Sequence, residues 1–144
     1  MTTKKDGTKR TAKPSRKTAD AAVTRWATFG VAFTLILSGA LNGYANAQHA
    51  PNALAGWLMG LAVPVLVLVL SKVAGEKWEK GQKPVARFAG FSGLGMLLLS
   101  VYHCAESVSI LTGSPLWLAL PMAVAIDAGL VACELALITE KRRA

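Results

Sequence analysis

Four side chains able to carry charge lie inside otherwise apolar stretches late in the sequence: His103, Glu106, Asp127 and Glu134. An ionisable group inside a membrane span costs about 2.5 to 3.5 kcal/mol on insertion scales, so each needs a partner, water or a bound ion. No Lys or Arg lies in the same stretches. His103 can pair with only one of the three carboxylates. The others must be protonated, hydrated or bound to a cation. Helical spacing groups these residues. His103 and Glu106 are three apart, neighbours on one helix surface. Ser100 and Ser107 flank the same side. Asp127 and Glu134 are seven apart, nearly two turns, and share a face about 10 Å apart along the axis. If the two helices run in opposite senses, the order from outside to inside is Glu106, His103, Asp127, Glu134. That ladder covers about 20 Å of the hydrocarbon core.

Three chemistries suit such a ladder. The first is structural: Asp127, the deepest, makes a hydrogen bond that pins helices or copies together. His103, on the third helix, is its first candidate partner. Near the ends, His103 and Glu106 meet water, and Glu134 snorkels. The second is a proton or cation path. The third is a metal site, since His103, Glu106 and Asp127 supply suitable atoms. His-x-x-Glu occurs once, however, not as the paired set of di-iron bundles, and no metal or cofactor is expected. No GxSxG, P-loop, HExxH or dinucleotide-binding glycine pattern is present, so no enzyme is expected. His103 beside Cys104 does not make a nucleophile and its base, because adjacent helical residues point about 100° apart. Cys104 and Cys133 read as small apolar residues without a disulfide framework.

The elements that must position these residues are membrane spans. Four apolar runs, at about 26–47, 53–71, 88–110 and 116–138, each approach the roughly 20 residues that a bilayer requires. Chain length indicates one such domain. All sixteen Lys and Arg residues fall on one side of the pattern. They precede the first run, lie between the second and third (Lys72 to Arg87), or follow the fourth (Lys141, Arg142, Arg143). Basic residues beside spans stay cytoplasmic. The expected fold is therefore an all-α integral membrane protein of the cytoplasmic membrane, with both termini inside. Short outer loops at 48–52 and 111–115 make two hairpins of the four helices. Residues 72–87 read as a cytoplasmic loop.

Residues 1–25 form a basic tail, which accounts for most of the net charge of +8. The tail cannot bury apolar surface and should be disordered alone. Its expected partners are anionic lipid headgroups. It lacks aromatic residues to stack on bases, so nucleic acid is not the expected partner. No cleavable signal peptide is expected, because the region before the first run is too long. Gly39 with Gly43, and Gly56 with Gly60, place small residues four apart on the first two spans, where they allow close helix packing. Pro64 should kink the second span, because the carbonyl of Gly60 loses its N–H donor. Pro121 lies in the first turns of the fourth, where proline is tolerated.

The stretch from Leu97 to Ile138 contains Ser100, His103 and Ala105. It continues with Gly113-Ser114-Pro115-Leu116-Trp117-Leu118-Ala119, Pro121 and Asp127-Ala128-Gly129. In these features it resembles small polytopic plasmid-spread proteins of actinobacteria, which accompany conjugative and other mobile elements. The resemblance covers residues 97–138. It departs from the pattern where Ala128 separates Asp127 from its glycine. It implies a bacterial mobile-element or phage setting and an assisting membrane role without catalysis. The function expected from the sequence is an accessory or structural membrane protein that assembles with itself or with a partner membrane complex. The alternatives are a proton- or cation-conducting channel or transporter using the ladder, and a holin-like pore former.

Overall fold

Every apolar run forms part of a long helix in the computed structural model, which describes residues 16–143, with side chains described for 21–139. The helices are α1 (Arg16–His49), α2 (Ala53–Glu79), α3 (Lys83–Thr112) and α4 (Leu116–Arg143). No strand occurs among the described residues. All four helices are long and apolar enough to cross a membrane, α1 over Ala21–His49 and α4 over Leu116–Thr139. At most 28% of the most apolar window of any of them is buried within the chain. Most of that apolar surface therefore faces outward, as a thin bundle in lipid requires.

Local signals set the helix ends. Asn52 caps α2, its side chain accepting from the Leu54 and Ala55 backbone N–H groups at 2.9 and 3.4 Å. Gly81 and Gly113, with φ of 73° and 66°, take the left-handed conformation that stops α2 and α3. Pro84 enters the first turn of α3, where its missing N–H costs nothing.

Two expectations need correction. Residues 16–25 do not belong to the disordered tail that their composition leads one to expect; they continue α1. Ala19, Ala21 and Ala22 favour helix, and extending an existing helix costs far less than nucleating one. Residues 72–87 are not the loop that their charges suggest; all but Lys80–Gln82 are helical. Nothing between Ser71 and Lys80 breaks α2, so only the Lys80–Gln82 turn separates it from α3. The remainder of the tail, 1–15, lies outside the described residues, and so does its expected contact with lipid.

Helix α1 is the centre of the packing. It touches α2, α4 and, across the diagonal, α3, while α3 also contacts α2 and α4. The α1–α2 contact runs through glycine. Gly56 and Gly60 are buried. A Cβ on Gly60 would collide with the Asn42 carbonyl and the Gly43 Cα, and one on Gly56 with the backbone of Asn46 and Ala47. The α1 glycines receive side chains instead, Gly43 the Trp57 ring and Gly39 Leu61. Pro64 is fully buried within α2, which runs through it as one helix. A small apolar cluster of Leu41, Cys104, Ala105, Val108, Ala119, Ala123 and Ile126 closes the contacts of α1, α3 and α4.

Candidate functional site

The site is organised by a stripe of polar residues on α1. Ser38, Asn42, Asn46 and His49 follow one another at intervals of four, four and three, so they line one helix face. That face meets the polar residues of α3 and α4. At the bottom of the stripe, Ser38 Oγ donates to Asp127 Oδ1 at 2.8 Å. Ser38 and Asp127 are 0% and 1% exposed, so no solvent competes for the bond. Ser38 Oγ also lies 3.2 Å from Ser100 Oγ. Its one hydrogen is given to Asp127, so Ser100 must be the donor of that second bond. Asn42 Nδ2 donates in turn to Ser100 Oγ at 2.9 Å and lies 3.3 Å from Cys104 Sγ. The hydrogens thus run in one sense, from Asn42 through Ser100 and Ser38 to the Asp127 carboxyl. This chain joins α1, α3 and α4.

The stripe continues toward the end of α1. Asn46 Nδ2 lies 3.1 Å from His103 Nδ1. His49 Nε2 lies 2.8 Å from Glu106 Oε1, and the His49 side chain is 67% exposed. Ser107 Oγ donates to the Leu41 carbonyl at 2.5 Å. Asn42 and Asn46 each also donate to the carbonyl four residues back, at 2.9 Å, which fixes their side chains along the helix.

The ladder residues therefore have different partners from those expected. Asp127 is bonded to α1, not to His103 on α3. His103 pairs with Asn46, and Glu106 with His49. Glu134 is separate. It accepts from Ser71 Oγ on α2 at 2.9 Å and is 6% exposed. Leu130, 1% exposed, stands on α4 between Asp127 and Glu134. Two oxygens of the central network, Asn42 Oδ1 and Asp127 Oδ2, are buried without a hydrogen-bond partner among the described residues, as is Glu134 Oε1.

The described residues contain no group of three His, Cys, Asp or Glu side chains placed to hold a metal ion. What the centre offers chemically is a single buried carboxyl at the end of a directed hydrogen-bond chain. Sequence reasoning missed Ser38, Asn42 and Asn46 because neutral amides and hydroxyls do not stand out as charges do. Their spacing of four was the available signal. Comparison of the chain with protein-family models and with curated proteins, and of its structure with solved structures, finds no match.

Proposed function

We propose that this chain is a non-enzymatic, multi-pass protein of the cytoplasmic membrane that acts by assembling with copies of itself or with a partner membrane complex. In this reading the helices form two hairpins and both termini face the cytoplasm. The observation that carries it is how the buried polar groups are used. Asp127 is tied through Ser38 to Ser100 and Asn42, so the deepest carboxyl holds three helices together. In lipid, helix association rests on close packing of small residues and on such interhelical bonds. The glycine contacts of α1 with α2 serve the same end within one chain. What remains for a partner is the outer surface, which includes the α1 ridge of Trp26, Phe29, Phe33 and Ile36, each more than half exposed. The one-sided basic residues support the orientation. The resemblance of residues 97–138 to plasmid-spread proteins adds a mobile-element or phage setting. Cross-linking of the full chain in native membranes tests the reading: discrete homo- or hetero-oligomers are expected, and a strictly monomeric, partnerless species overturns it.

A second reading, proton or cation conduction, is favoured by one observation. The polar stripe from His49 to Ser38 covers roughly 17 Å of helix and ends at buried oxygens that lack partners. Leu130 interrupts the route from Asp127 to Glu134. Proton flux into liposomes holding the purified chain separates the readings, since assembly predicts no flux above that of empty vesicles. A holin-like variant of assembly predicts lysis on timed expression.

A further inference from the structure

Glu134 stands apart from the central network and faces a cavity of its own. Ser71 satisfies Oε2, but Oε1 has no hydrogen-bond partner among the described residues although the residue is only 6% exposed. A buried carboxyl oxygen left without a donor costs about 1 to 3 kcal/mol or more if charged. The residue lines a cavity of about 590 Å³ between α1, α2 and α4. Small-molecule sites fall in the range of about 300 to 1,000 Å³. The walls divide by chemistry. Glu76 and Glu79 supply further carboxyls from the cytoplasmic extension of α2, while Val31, Leu68 and Leu137 supply apolar surface. Among the described residues Lys72 is the one basic residue on the lining, beside Glu134, Glu76 and Glu79, with Glu76 also 3.9 Å from Lys80. The cavity is therefore acidic on a chain of net charge +8, at the end where basic residues dominate.

We propose that this cavity binds an organic ammonium with an apolar body, its N–H groups directed at Glu134 Oε1 and its hydrocarbon lying against Val31, Leu68 and Leu137. A metal ion fits less well, since no three acidic or imidazole side chains among the described residues are placed to hold one. A primary ammonium needs only acceptors for its three donors and tolerates a looser shell. Such a group comes from a soluble amine or from the headgroup of an aminophospholipid, and the end of α2 is accessible to both. The proposal goes beyond assembly, and its readout does not depend on oligomeric state.

The test uses the full chain in nanodiscs of phosphatidylcholine, with radiolabelled phenethylammonium as probe in equilibrium dialysis. Saturable binding is expected. Glu134→Gln removes the charge while keeping the shape, and should weaken binding at least tenfold. Gly75→Leu provides an independent block, because Gly75 lines the cavity and a Cβ there meets nothing within 4 Å. It should also lose at least tenfold while leaving Glu134 in place, so the test survives if Glu134→Gln fails to fold. Replacing half the lipid with phosphatidylethanolamine separates the sources. Competition with the probe marks the headgroup as occupant, and unchanged binding marks a soluble amine. Either outcome fits the proposal. Absence of saturable binding in phosphatidylcholine discs overturns it, as does wild-type affinity in a folded Glu134→Gln or in Gly75→Leu.

Discussion

Ser38 on α1 and Asp127 on α4 are joined by a 2.8 Å hydroxyl-to-carboxyl hydrogen bond, with both residues almost completely buried. Through this bond the buried carboxyl of Asp127 reaches α1, and Ser38 Oγ lies 3.2 Å from Ser100 Oγ of α3. Ser38→Ala should therefore do more than remove one bond, since it leaves Asp127 Oδ1 buried without the hydroxyl that donates to it. In an Asp127→Leu background the same change removes the Ser38 contacts with Ser100, Asn42 and Cys104 but no bond to a carboxyl. A double-mutant cycle, read by unfolding in mixed micelles, should give a coupling of about 0.6 to 1.7 kcal/mol. Additive losses would show that the bond contributes nothing to stability.

Gly60 and Gly90 make a matched pair for testing helix packing. At Gly60 an added Cβ meets α1 backbone at Asn42 and Gly43, which no side-chain rotation can relieve. Gly60→Ala should force α1 and α2 apart and cost about 1 to 3 kcal/mol, as overpacking does. At Gly90 the added atom meets nothing within 4 Å. Gly90→Ala should be neutral or gain up to about 1 kcal/mol from helix propensity. The same unfolding measurement decides, and equal effects at the two positions would contradict the packing described.

The orientation proposed for the bundle makes the two kinds of turn chemically distinguishable in intact cells. Pro51 and Gln82 are exposed and lie in turns at opposite ends of α2. Pro51 is preferred to its neighbour Asn52, whose side chain caps α2. A membrane-impermeant maleimide should label Pro51→Cys from outside, and should reach Gln82→Cys only after the membrane is opened. The native thiols should not interfere, since Cys104 is buried and Cys133 partly so. The reverse labelling pattern would overturn the orientation.

The four apolar runs were legible because a bilayer demands long apolar helices, and the sequence meets that demand run by run. The ends were less legible. Between Ser71 and Lys80 the polar composition suggested a loop, yet α2 continues, because composition reports where a helix leaves the apolar phase and not where it stops. Gly81 was the true stop signal. At the site, charge drew attention to Asp127 and Glu134 and away from Ser38, Asn42 and Asn46. A buried carboxyl needs donors, and in a span without Lys or Arg those donors must be hydroxyls or amides. That rule could have pointed to the α1 stripe. The choice between α1 and α3 as the source of the Asp127 partner could not be made from one helix alone, because it depends on how the helices cross.

Asp127 itself separates the two functional readings. Asn at this position keeps the shape and an acceptor for the Ser38 hydroxyl, but it cannot ionise. Leu removes both the acceptor and the charge. If Asp127 acts by holding α1, α3 and α4 together, Asp127→Asn should retain assembly and near-native stability. Asp127→Leu should then loosen the bundle by about 0.6 to 2 kcal/mol, the range for polar contacts between membrane helices. If Asp127 carries protons or cations, Asp127→Asn should abolish flux while the fold and the cross-linked oligomers persist. The two readings therefore part at Asp127→Asn, which the first tolerates and the second makes inactive, whereas Asp127→Leu is damaging in both. The hydrogen-bond chain from Asn42 through Ser100 and Ser38 favours the first reading, since it ends at one oxygen of Asp127 and ties three helices together. Loss of flux in Asp127→Asn with stability unchanged would reverse that preference.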